Sequence, residues 1–86
     1  MLEQNKIPTN IVYIKDTISE VDFNNSIVFV DLPSNVLSCD FTNCIIMFIN
    51  DPGITFNRCK FIKSPFTPIK DSETLLKMYN SFKIEK

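Results

Sequence analysis

A five-residue rhythm constrains this chain more than any other feature: a large apolar residue returns every fifth position, with a small or apolar residue two places before it. Written in fives from Ile54, the chain reads Ile-Thr-Phe-Asn-Arg, Cys-Lys-Phe-Ile-Lys, Ser-Pro-Phe-Thr-Pro, so Phe56, Phe61 and Phe66 are third and Ile54, Cys59 and Ser64 first. From Cys39 the blocks are Cys-Asp-Phe-Thr-Asn and Cys-Ile-Ile-Met-Phe; from Val21 they are Val-Asp-Phe-Asn-Asn and Ser-Ile-Val-Phe-Val. The blocks also align at a longer period. Val21, Cys39 and Cys59 lie 18 and then 20 residues apart, as do Phe23, Phe41 and Phe61, then Ser26, Cys44 and Ser64, then Val28, Ile46 and Phe66.

A period of this length, with like residues falling on like, is the mark of a chain that winds into stacked coils. Small side chains fit near the corners of a narrow coil and large ones fill its centre. Each coil lies about 4.8 Å above the last, the spacing of paired strands. One coil cannot bury its own apolar face, so its neighbours supply the rest of the core. The expected fold is mainly β, a short β-solenoid of about three coils, one for each member of a column, with a C-terminal capping α-helix. The 86 residues suffice for one domain. Within it, 1–18 form an N-terminal strand and cap, 19–69 the coils and 70–86 the helix.

Cys-Asp-Phe-Thr-Asn and Cys-Lys-Phe-Ile-Lys resemble the blocks of pentapeptide-repeat proteins over about residues 21–68. The resemblance implies a right-handed, roughly square coil of four fives. It also implies inward side chains at the first and third places, which here are Val21, Phe23, Ser26, Val28, Cys39, Phe41, Cys44, Ile46, Ile54, Phe56, Cys59, Phe61, Ser64 and Phe66. The pattern departs from the family between Val30 and Leu37 and between Ile49 and Gly53, where Pro33 and Pro52 interrupt it. The 18-residue spacing also falls two short of four fives. A three-sided β-helix accommodates the same columns.

The ends carry their own signals. Leu75, Met78, Tyr79 and Phe82 fall at i, i+3, i+4 and i+7, one face of a helix. Asp71 or Ser72 suits its N-cap, Glu73 its first turn, and Pro68 bars an earlier start. This stripe is expected to cover the last coil around Phe61 and Phe66; a homodimer through the helix is the alternative, since pentapeptide-repeat proteins often pair through such ends. At the other end Ile11, Val12, Tyr13 and Ile14 read as a first strand.

Chemistry is scarce. The chain has no His, the usual base for a Ser or Cys nucleophile. Cys39, Cys44 and Cys59 sit in interior columns, where free Cys acts as a small hydrophobe, and their spacing does not suit zinc. Asp22, Asp40 and Lys60 share the second, solvent-facing place. A stacked Asp22–Asp40 pair, with Asp31 or Asp51 nearby, could share a proton or hold a cation, but a solvated face is the expected reading. No enzyme, metal or cofactor is therefore expected. In a square register Phe29, Met47 and Phe48 fall outside the inward places and form an outward apolar strip, the mark of a protein-interaction surface; if the coils are irregular there, the strip is interior or lies beneath the helix.

The net charge of −1, with acids and bases intermixed, favours neither a nucleic-acid nor a DNA-mimic role. No apolar stretch approaches membrane-span length, and an odd cysteine count without a signal-peptide pattern points to reduced thiols in a cytoplasm. Abundant Ile, Asn, Phe and Lys suggest AT-rich coding and a bacterial, phage or viral source. The expected function is a non-catalytic module that binds another protein, in the manner of a phage- or mobile-element-encoded inhibitor docking on a host protein. The alternative is a structural protein that self-associates by end-to-end pairing of solenoids.

Overall fold

The computed structural model describes residues 10–84. Among these residues ten short strands and one helix follow one another: β1 (Asn10–Ile14), β2 (Thr17–Ser19), β3 (Asp22–Asn24), β4 (Ser26–Val30), β5 (Ser34–Leu37), β6 (Asp40–Thr42), β7 (Ile45–Ile49), β8 (Ile54–Asn57), β9 (Lys60–Ile62), β10 (Phe66–Ile69) and α1 (Ser72–Ile84). Every third strand stacks in parallel on the one before. Three sheets result, ordered β1-β4-β7-β10, β2-β5-β8 and β3-β6-β9. The protein is a parallel β-solenoid of about three turns with a single C-terminal helix.

The coil has three sides, not the four implied by the resemblance. Two sides, those of the second and third sheets, keep the five-residue beat. Each consists of a short strand followed by a residue with positive φ that turns the corner. Glu20, Ser38 and Arg58 turn the corner between them, and Asn25, Asn43 and Lys63 turn the next, with φ between 51° and 59°. Asn tolerates this left-handed conformation; Glu, Ser, Arg and Lys adopt it at a cost of roughly 1–2 kcal/mol each. The third side, built on the five-residue strands β1, β4 and β7, has no such corner and runs on to Asp31–Pro33 or Asn50–Gly53 before turning. Its extra length gives coils of 18 and 20 residues.

The interior follows the predicted columns. Phe23 pairs in register with Phe41 and Phe41 with Phe61, while Val28 pairs with Ile46 and Ile46 with Phe66. Ile14, Val28, Val30, Val36, Cys39, Phe41, Cys44 and Ile46 form the buried centre, and Phe23, Ile54, Phe56, Cys59 and Phe61 pack against it. The Phe23, Phe41 and Phe61 rings stack with centroids 4.9 and 5.1 Å apart. Val21 and Phe66, which lie in the first coil and at the last strand, are 36% and 40% exposed. The solenoid already begins at β1, so residues 10–18 are sides of the first coil rather than a cap; the remainder of the predicted cap lies outside the described residues.

A second apolar layer lies outside the coil. Ile27, Phe29, Ile49, Ile69 and Leu75 are buried together, with Tyr13, Ile45, Met47, Met78 and Tyr79 packed around them. The helix crosses the outer face of the four-stranded sheet there, and Leu75 is fully buried. It does not cover Phe61 and Phe66. The four-stranded sheet thus carries apolar residues on both faces, which is why all five residues of β4, Ser-Ile-Val-Phe-Val, are buried.

Candidate functional site

The predicted strip of Phe29, Met47 and Phe48 is divided by the structure. Phe29 is paired in register with Met47, whereas Phe48 is paired with Val30. Phe29 is fully buried beneath the helix, with ring centroids 5.5 Å from Tyr79 and 5.8 Å from Phe82. Met47 is half-buried in the same layer. Phe48 packs on the other side, against the interior. The five-residue rule puts Phe29 and Met47 outside the coil, where they lie, though beneath the helix. It misplaces Phe48 because a straight five-residue strand alternates with period two, and no positive-φ corner follows Ile46 to reset the pattern. No outward strip exists at these residues.

Of the predicted helix stripe, Leu75 is buried and Met78 and Tyr79 are half-buried, while Phe82 is 39% exposed. Asp71 caps the helix, accepting from the Thr74 N–H at 2.8 Å. This backbone bond, together with the Thr74 hydroxyl, holds the Asp71 carboxyl below its ordinary range. Ser72 turns elsewhere: its hydroxyl donates to Asp31 at 2.6 Å.

Asp31 is the residue that sequence reasoning placed least well. It is 3% exposed and lies where β4 leaves the sheet. Its carboxylate accepts from the Tyr13 hydroxyl, the Ser72 hydroxyl and the Leu32 N–H. One side chain thereby ties together the first coil, the second coil and the start of the helix. Burial alone pushes its pKa up; the hydrogen bonds from Ser72, Tyr13 and Leu32, with the charge of Lys15, outweigh it, and the net shift is downward. Burial raises the Tyr13 phenol, and the bond to Asp31 and its charge raise it further. Every partner here is a donor to a carboxylate already satisfied, so the cluster is a clasp rather than a reactive centre.

The Asp22–Asp40–Lys60 column forms as predicted, with Asp22 paired to Asp40 and Asp40 to Lys60. Asp22 and Lys60 are exposed and Asp40 is half-buried. Asp40→Asn should change stability by less than about 0.5 kcal/mol, as for an ordinary surface substitution, because Lys60 and Asp22 act on it with opposite sign; a urea titration checks this. Cys39 and Cys44 are buried and Cys59 half-buried, all three free, with each thiol 3.4 to 3.5 Å from backbone carbonyls. Among the described residues no three His, Cys, Asp or Glu gather as a metal site, and no helix is long and apolar enough to cross a membrane.

The surface that the helix was expected to cover, and leaves open, is the C-terminal end of the coil. Among the described residues β8, β9 and β10 each end their sheet. Here Phe48, Phe56, Phe61 and Phe66 form an aromatic cluster with centroids 4.6 to 6.3 Å apart, mostly edge to face. Phe66 is 40% and neighbouring Ile62 51% exposed. Backbone groups are presented at the same end. Gly53 and Asn57 accept from β5 and its following corner, which leaves Phe56 directed to the open edge, while the Ile54 N–H is taken by the Asp51 carbonyl in the preceding turn. Ile62 likewise accepts from Asn43, and Lys60 donates to Cys39, leaving Phe61 directed outward. On β10, Pro65 and Ile69 accept from Ile46 and Asn50, so Phe66 and Pro68 face the edge. Pro68 has no N–H to offer there, which blunts that strand against further pairing. The columns made this end legible, since Phe56, Phe61 and Phe66 are the last members of theirs and need a following coil to cover them.

Comparison with known proteins finds no match, whether to a protein family, to a curated protein or to a solved structure.

Proposed function

We propose that this protein is a non-catalytic interaction module that docks on a protein partner through the open C-terminal end of its solenoid. One observation carries the reading. Phe56, Phe61 and Phe66 complete the core columns with no coil above them among the described residues, beside the open edges of β8 and β9. Apolar surface of this kind, rimmed by polar residues, marks interaction sites. Strand edges add backbone hydrogen bonds to whatever covers them. The rigid coil holds the rings in place before contact, so little ordering is needed on binding. The resemblance of residues 21–68 to pentapeptide-repeat proteins, which the two five-residue sides explain, agrees with a scaffold rather than a catalyst.

A photoreactive amino acid at Ile62 tests the reading. Irradiated in the source cells, it should give protein adducts, whereas the same group at exposed Asn35, midway along the coil, should not. Equal yields at both positions, or none at Ile62, would remove the C-terminal end as the docking surface.

A further inference from the structure

The two ends of the solenoid carry opposite charge. Residues 54–64, which form two sides of the last coil, include Arg58, Lys60 and Lys63 and no acid. Residues 16–26, the matching sides of the first coil, include Asp16, Glu20 and Asp22 and no base. The middle coil, 34–44, carries Asp40 alone. All six end residues are exposed. Stacking puts them in columns along the coil axis: Glu20 and Arg58 turn equivalent corners, as do Asn25 and Lys63, and Asp22 lies two strands from Lys60. On these two sides the open aromatic end is basic and the other end acidic; the third side adds Lys15 after β1 at the acidic end and both Lys70 and Asp71 after β10 at the basic end. At that acidic end β1, β2 and β3 end their sheets among the described residues, and the central side chains Val12, Ile18 and Phe23 are only half-buried.

We infer that the occupant of the open C-terminal end is the N-terminal end of a second copy of this chain, stacked head to tail. The inference rests on the docking end proposed above and names its partner. The path of the chain fixes how the copies meet. A solenoid climbs one strand spacing per coil, so the position that follows β10 lies above β8. Seating the second copy's β1 on β8 continues the climb, with its β2 on β9 and its β3 on β10. Val12, Ile18 and Phe23 of one copy then cover Phe56, Phe61 and Phe66 of the other. The Lys15–Asp16 corner meets Arg58, and Glu20 meets Lys63. Because Pro68 blunts β10, the contacts over β8 and β9 carry the pairing. Charge also decides against the symmetric alternative, in which two C-terminal ends meet, since that brings Arg58, Lys60 and Lys63 of both copies together. A head-to-tail contact does not close on itself, so the product is a linear stack whose length grows with concentration.

Sedimentation of the purified chain over a concentration series is the test. The average mass should rise with concentration, and raising salt from about 0.05 to 1 M should weaken association roughly tenfold, as expected for a few screened surface pairs. Arg58→Glu, Lys60→Glu and Lys63→Glu together make both ends acidic, and Asp16→Lys, Glu20→Lys and Asp22→Lys together make both basic. Each set alone should leave a folded monomer by circular dichroism, and mixing the two should restore the stack. Association lost with the first set but kept with the second would mean that C-terminal ends pair with each other, and the inference fails. A monomer at every concentration and salt also overturns it; adducts from Ile62 to a foreign protein would then still uphold the docking end itself. Should either set not fold, the wild-type mass and its salt dependence decide.

Discussion

Phe41→Ala is expected to destabilise the protein by about 4 kcal/mol, while Phe61→Ala in the same column costs roughly 1–2 kcal/mol. The two residues occupy the same place in successive coils and differ only in what lies above them. Phe41 is fully buried, with the Phe23 ring 4.9 Å below and the Phe61 ring 5.1 Å above. Removing it opens a cavity between rigid coils whose backbone ladders prevent collapse, the circumstance in which large-to-small changes cost most. Phe61 has a coil on one side only and is half-buried, so water fills the space it vacates. A loss of about 4 kcal/mol takes most of the margin of a small domain, which lies at roughly 5–15 kcal/mol. Urea denaturation of the two variants side by side measures the difference. Equal losses would mean that the last coil is covered, and an unmoved midpoint for Phe41→Ala would refute the column.

Asp31→Ala is expected to cost about 3–5 kcal/mol, since it removes three hydrogen bonds to a buried charge and leaves their donors without an acceptor. The Tyr13 and Ser72 hydroxyls lose the group that joins them, and the start of the helix loosens from the sheet. The pH dependence follows from the direction of the shift. The folded-state pKa of Asp31 lies below its ordinary value of 3.8, so the unfolded chain takes up the proton first as pH falls. The contribution of Asp31 is thus complete above the ordinary carboxylate range and is lost as pH drops through that range toward the folded-state value. Wild-type stability should fall over that acidic interval, and Asp31→Asn should flatten this part of the profile. Helical dichroism would report the loosening of the helix separately from the coil. If Asp31→Asn left the slope below pH 4 unchanged, the clasp would not be what acid releases.

The clasp also explains why the covering of the sheet was hidden in the sequence. Nothing in the order of residues links Asp31 to Ser72, 41 positions away, and the sequence offered Asp31 only as an acid near the solvated Asp22–Asp40 pair. The stripe Leu75, Met78, Tyr79 and Phe82 identifies a helix face, because i, i+3 and i+4 spacing is local geometry. Which surface receives that face is a matter of competition between two apolar surfaces. The outer face of the four-stranded sheet offers Ile27, Phe29, Met47 and Ile49 as a broad surface, and Asp31 anchors the helix beside it. The coil end offers Phe61 and Phe66, and it stays open.

Sequence alone determined the columns. A stacked coil makes like residues neighbours, so Phe23, Phe41 and Phe61, or Val28, Ile46 and Phe66, had to repeat for the interior to be apolar at every level, and repetition is visible without coordinates. Acids and bases look intermixed along the linear chain; their separation between the two ends appears only once the coils stack. Tertiary structure decided the number of sides. Corners are made by backbone conformation, and Glu20, Ser38, Arg58 and Lys63 take positive φ although none is a residue that favours it. Stacked backbone bonds from neighbouring coils hold them there, as Ser38 to Asn57 and Glu20 to Leu37 show. Long-range hydrogen bonding, not local preference, thus bends the chain at two corners, lets the third side run straight, and turns Phe29 outward to meet the helix.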